Sequence, residues 1–100
     1  MSIYFDNAAT TPLHPDVVDV MTQVLREDYG NPSSIHHIGR KAKSLVEKAR
    51  KTVATIINAS ISEVFFTSCA TESNNMILKN AVKDLGVRRI ISSPTEHHCV

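Results

Sequence analysis

Apolar positions recur at helical spacing in three stretches of the chain and form short strand-like runs in three others. Over residues 15–27, Val17, Val20, Met21, Val24 and Leu25 make one stripe at steps of three and four, the pattern of a helix lying on a core. Pro15 suits the first turn, where its missing N–H has no partner in any case, and Asp16 and Asp19 lie near the positive end. Residues 29–34, Tyr-Gly-Asn-Pro-Ser-Ser, break the pattern with strong turn formers. A longer stripe follows, through Ile38, Ala42, Leu45, Ala49, Val53 and Ile56. It predicts a helix capped by Ser33 or Ser34 and running to about residue 58, with most of its basic residues on the other face. Glu47 on that face is spaced to pair with Lys43 or Lys51.

Residues 63–79 organise the rest. Val64, Phe65 and Phe66 form a short strand-like run, followed by the small polar stretch Thr67-Ser68-Cys69-Ala70-Thr71 and an acid at Glu72. Met76, Ile77, Leu78, Ala81 and Val82 then fall at helical spacing, and Gly86 marks the stop. Arg88 to Ser92 reads as another strand, and strand, helix, strand with short links predicts a βαβ unit with a right-handed crossover. Ile3-Tyr4-Phe5 reads as a short strand or an extended arm, leading into the small-residue loop Asp6-Asn7-Ala8-Ala9-Thr10-Thr11-Pro12. An Asx turn at Asp6 or Asn7 is the plain expectation for that loop.

The first turn of a helix presents unpaired N–H groups and a partial positive charge, and small residues let an anion approach. Residues 67–71 therefore offer a phosphate seat. Taken alone they read better as an ordinary N-cap, because the turn has no glycine and no Gly-Lys-Ser/Thr signature. In open α/β sheets ligands bind beyond the carboxyl ends of strands. The loop from Thr95 to His98 leaves the second strand on the same edge as this turn, so histidines and an anion seat converge there.

Composition narrows the partners. One hundred residues hold at most one domain, 42% of them apolar, and a net charge of +1 argues against a polyanion partner. The basic face of the long helix lacks interleaved aromatics for stacking bases, so nucleic acid is not expected. The two cysteines, Cys69 and Cys99, have neither a CxxC spacing nor a metal-ligand cluster around them. Adjacent His36 and His37 do not face each other on a helix, which disfavours a two-histidine metal site. A cytoplasmic location is the expectation, with no signal-like start and no run of membrane-spanning length.

Four motifs arrive in one family's order. Phe5-Asp6-Asn7-Ala8-Ala9-Thr10-Thr11-Pro12, Gly30-Asn31-Pro32-Ser33-Ser34-x-His36, Phe66-Thr67-Ser68-Cys69-Ala70-Thr71-Glu72-Ser73 and Thr95-Glu96-His97 resemble the class V aminotransferase group. They are most similar to its cysteine desulfurases of the nitrogenase and iron–sulfur-assembly type. The resemblance implies an α/β chain, the N-terminal fragment of the fold-type I pyridoxal-phosphate transferase fold. Residues 1–14 would be an N-terminal arm, and 15–100 the first part of the large cofactor-binding domain.

The implied activity is pyridoxal 5'-phosphate-dependent removal of sulfur from L-cysteine, leaving L-alanine and an enzyme persulfide. The implied partners are a second copy of the chain and a sulfur-acceptor or scaffold protein. By the same resemblance Ala70 and Thr71 contact the cofactor phosphate, and His97 lies on the pyridine ring as the catalytic histidine. A selenocysteine lyase, another class V enzyme, or a non-catalytic phosphate-binding module are the alternatives. The family usually has glycine where this chain has Cys69, which raises the expectation of a crowded or distorted turn. The family's cofactor-binding lysine and persulfide-forming cysteine lie beyond Val100, so the chain is expected to be an N-terminal piece, inactive alone.

Overall fold

A computed structural model describes residues 3–97 and Cys99. It contains three α-helices: α1, Pro15–Glu27; α2, His37–Ile56; and α3, Ala70–Lys83. The chain divides into two compact units, one ending at Ile61 and the other beginning at Ser62.

In the first unit, residues 6–10 form a backbone turn rather than the expected Asx turn. The Asp6 carbonyl accepts from the N–H groups of Ala9 (3.0 Å) and Thr10 (3.2 Å). The Tyr4 hydroxyl closes the loop against Thr10 Oγ1 at 2.8 Å. α1 has the predicted limits, but its cap is His14, whose Nδ1 accepts from the Asp16 N–H at 3.3 Å. The cap of α2 also departs from expectation. Ser33 and Ser34 precede the helix in the 31–34 turn, where the Asn31 side chain and carbonyl take their N–H groups. The cap is His36, with Nδ1 3.4 Å from the Gly39 N–H.

Two glycines let that turn pack tightly. A Cβ at Gly39 would lie 2.5 Å from the Ser34 carbonyl oxygen, and one at Gly30 would lie 2.5 Å from that of Ile38. α2 ends at Ile56 with Ile57 as its cap, and Asn58 just beyond adopts the left-handed backbone (φ 54°) that asparagine tolerates better than most residues. The two helices are joined by an ion pair, Lys41 Nζ to Asp28 Oδ1 at 2.5 Å. The aspartate side chain is only 7% exposed, and apart from this ammonium the Oδ1 atom has no hydrogen-bond partner. The Asp28 carboxylate, as a bonding partner first and a charge second, raises the Lys41 pKa above its ordinary value of 10.5. Glu47 meets Arg50 at 3.4 Å, one turn on, rather than Lys43 or Lys51.

In the second unit, α3 is closed by Gly86 as predicted. Its φ is 67°, and the Val87 N–H reaches back six residues to the Ala81 carbonyl at 3.0 Å, a Schellman-type stop. The flanking segments 64–67 and 87–93 lie outside any helix, yet neither joins a β-ladder among the described residues. The predicted βαβ unit is therefore present as order along the chain and absent as a sheet. A strand is defined by its neighbours, and a parallel sheet is stable only with more strands and with both faces covered.

Burial is correspondingly thin. Ala42, Ala54 and Val64 are the buried hydrophobic residues among those described, while Val20 (60% exposed) and Leu25 (74%) on α1 remain open. The accessible surface is 9081 Å² for 11.0 kDa, against about 5,600 Å² for a folded monomer of that mass. Purified alone, the 100 residues are expected to melt without a cooperative transition and to associate through these apolar faces. Near-ultraviolet dichroism followed against temperature checks this; a sharp transition from a monomer would contradict it.

Candidate functional site

The stretch predicted to seat an anion forms the entry to α3. Cys69 is the N-cap, so Ala70, Thr71 and Glu72 supply the first-turn N–H groups. The cap residue has φ −166° and ψ 170°, extended backbone open to any residue type. The expected distortion from replacing the family glycine is absent: no positive φ is required here. A change of Cys69 to glycine would remove a sulfur atom without relieving backbone strain.

Hydrogen bonds tie the preceding residues to the helix. The Thr67 and Ser73 hydroxyls meet at 2.6 Å, and both reach the Cys69 carbonyl, at 3.3 and 3.4 Å. The Ser68 N–H and hydroxyl each donate to Glu72 Oε2 at 2.7 Å. These two bonds, backbone first, hold the Glu72 carboxyl below its ordinary 4.5. A carboxylate with a depressed pKa contributes its stability above the unfolded value and loses it as pH falls through the folded one. The clamp is therefore favoured at pH above the ordinary carboxylate value and weakens as pH falls below it.

The Cys69 thiol is exposed and its pKa lies below its ordinary 9.0, chiefly through the backbone N–H of Glu72 and then the Ser68 hydroxyl. No capping hydrogen bond to the sulfur is closed. Ser68 has one hydroxyl proton, and the carboxylate at 2.7 Å takes it ahead of the Cys69 sulfur at 3.8 Å. The positive end of the helix is thus the stronger influence on this thiol.

The second half of the candidate site is the loop carrying His97. The Asn74 side-chain amide of α3 donates to Cys99, 3.3 Å to Sγ and 3.4 Å to the carbonyl, across 25 residues of sequence. The Cys99 N–H in turn donates to His97 Nδ1 at 3.2 Å. With Nδ1 accepting, the neutral imidazole carries its proton on Nε2. Asn74 therefore connects the helix that starts at Ala70 to the turn that holds His97. His98, the neighbouring histidine, lies outside the described residues. A groove lined by Leu78, Val82 and Ile90 together with Asn75, Lys79 and Lys83 runs along α3.

Sequence reasoning missed Asn74, Ser73 and the Glu72 clamp. A Ser/Thr-x-x-Glu capping box would have been a signal for the clamp, but Ser68 stands one residue too early for it. Among the described residues no group of three histidine, cysteine or acidic side chains could hold a metal ion. The same residues contain no helix long and apolar enough to cross a membrane.

A strand-like run, a small-residue turn opening a helix, and a histidine loop tied back to that helix by Asn74 thus stand together in the second unit. The chain belongs to the class-V aminotransferase family, whose model matches residues 3–100. It is 47% identical over 100 residues to the cysteine desulfurase IscS of Dictyoglomus turgidum, covering 98% of this chain and 25% of that protein. A mitochondrial cysteine desulfurase of Drosophila melanogaster is 48% identical over 101 residues, with 98% of this chain and 22% of that protein covered. The selenocysteine lyase of Bos taurus is 47% identical over 81 residues, covering 81% and 18%. A solved structure of a NifS-like protein superposes with a TM-score of 0.87 at 48% identity, over 99% of this chain and 28% of that one. That likeness carries the fold-type I transferase architecture inferred from the motifs. The chain spans about a quarter of the length of the curated relatives it matches.

Proposed function

We propose that the chain is the cofactor-phosphate-holding part of a pyridoxal-phosphate-dependent cysteine desulfurase. The observation that carries this is the first turn of α3, where small residues precede the N–H groups of Ala70 and Thr71. The donor set fits a phosphate: those N–H groups lie at the positive helix end, the Thr71 hydroxyl stands beside them, and the Glu72 carboxylate, which would repel an anion, is engaged by Ser68. The names of the relatives support the choice of reaction.

When bound, pyridoxal phosphate supplies an electron sink that makes the substrate's C–S bond breakable. This chain's residues have simpler tasks. Ala70 and Thr71 hold the phosphate by charge-assisted bonds, and so fix where the ring lies. His97 would lie against that ring, and its Nε2 proton, set by the Cys99 N–H at Nδ1, would be the one available there. In the overall reaction L-cysteine and an enzyme thiol give L-alanine and an enzyme persulfide: the carbon is reduced, the transferred sulfur is oxidised, and hydrogens balance. The lysine and the thiol that receives the sulfur are supplied by other parts of the enzyme. A homodimer, a sulfur-accepting protein partner, a role in iron–sulfur assembly and a cytoplasmic location complete the proposal.

The selenocysteine lyase identity, 47% over 81 residues, favours one second reading, a lyase acting on L-selenocysteine. Alanine release by the full-length, cofactor-loaded enzyme separates them. L-cysteine is expected to give equimolar alanine and, with a thiol reductant, sulfide. Alanine from L-selenocysteine alone would favour the lyase, and alanine from neither would overturn both.

A further inference from the structure

We propose that Glu72 is a positioning residue for the phosphate seat, clamping Ser68 so that the first-turn N–H groups of α3 stay aimed at the cofactor phosphate. The inference rests on the cofactor reading above and extends it to a residue that touches neither cofactor nor substrate. Both hydrogen bonds of the clamp run to one oxygen, Oε2, at 2.7 Å, and both come from the residue just before the N-cap. An acid serving only the helix would bond an N–H of the first turn or of the cap itself. Here it fastens the chain outside the helix, at the residue before the N-cap. The Thr67–Ser73 hydroxyl pair at 2.6 Å makes a second strap one residue earlier, so the approach to Cys69 is tied at two successive positions. The depressed Glu72 pKa fits a carboxylate held charged by these donors.

The sign of the effect separates this role from simple electrostatics. A negative charge beside a phosphate repels it, so charge alone predicts that removing Glu72 tightens cofactor binding. A clamp predicts the reverse, and only for ligands that carry the phosphate. The test compares dissociation constants for pyridoxal phosphate and for pyridoxal, by absorbance titration of the full-length enzyme bearing this segment. In E72A, pyridoxal phosphate is expected to bind roughly tenfold more weakly, with pyridoxal unchanged, as a seat held by charge-assisted bonds loosens. E72Q keeps an acceptor for Ser68 and is expected to lose only about threefold, a partial rescue by shape.

Tighter or unchanged pyridoxal-phosphate binding in E72A would overturn the role, as would an equal loss for pyridoxal. Should E72A fail to fold, E72Q decides by sign alone: weaker phosphate-ligand binding supports the clamp, and equal or tighter binding overturns it. A wild-type enzyme that binds neither ligand would bring down the cofactor reading and this inference together. Wild-type binding with an unmoved ratio in the variants would bring down the inference alone.

Discussion

Changing His97 to alanine in the full-length enzyme is expected to lower turnover by about a hundredfold, the scale of a lost acid–base group. The melting temperature is expected to change far less than turnover. His97 is exposed, and its hydrogen bond from the Cys99 N–H, only two residues away, is local. The cofactor's visible absorption band should shift in the same variant, since a flat imidazole on the pyridine ring tunes its electronics. His98→Ala is the control: the adjacent residue, of the same type. Loss of turnover in His98→Ala with His97→Ala unaffected would mean that the wrong histidine carries the role. A loss confined to stability in both would make the histidines structural.

The helices were legible wherever local rules act alone. α1 has the limits its stripe and Pro15 imply, and the chain leaves α3 through the glycine stop that the sequence marks. Their caps were less legible. His14 and His36 take positions where serine or asparagine is the usual choice, and a ring nitrogen substitutes for a hydroxyl only once the backbone has turned. The strands could not be read as a sheet from 100 residues, because pairing belongs to neighbours that a local pattern does not contain. The candidate site divides the same way. Ala70 and Thr71 come from the family resemblance, because the turn taken alone reads better as an ordinary N-cap. The Asn74–Cys99 contact spans 25 residues and has no local signature, and the identity of Cys69 alone does not reveal its extended backbone.

The Thr71 hydroxyl bears the most direct load in the proposed seat. If it donates to the cofactor phosphate, Thr71→Ala removes one charge-assisted hydrogen bond, worth about 1.5–3 kcal/mol, and the backbone N–H groups remain. Affinity for pyridoxal phosphate should then fall by roughly ten- to a hundredfold, with binding of pyridoxal untouched. The hydroxyl is on the exposed first turn of α3, so the helix and its Glu72 clamp should survive the change. The decisive measurement is the pyridoxal-phosphate dissociation constant of Thr71→Ala against wild type in the full-length enzyme. A tenfold or greater weakening specific to the phosphate-bearing ligand is expected, and an unchanged constant would contradict the placement of the cofactor phosphate at the start of α3.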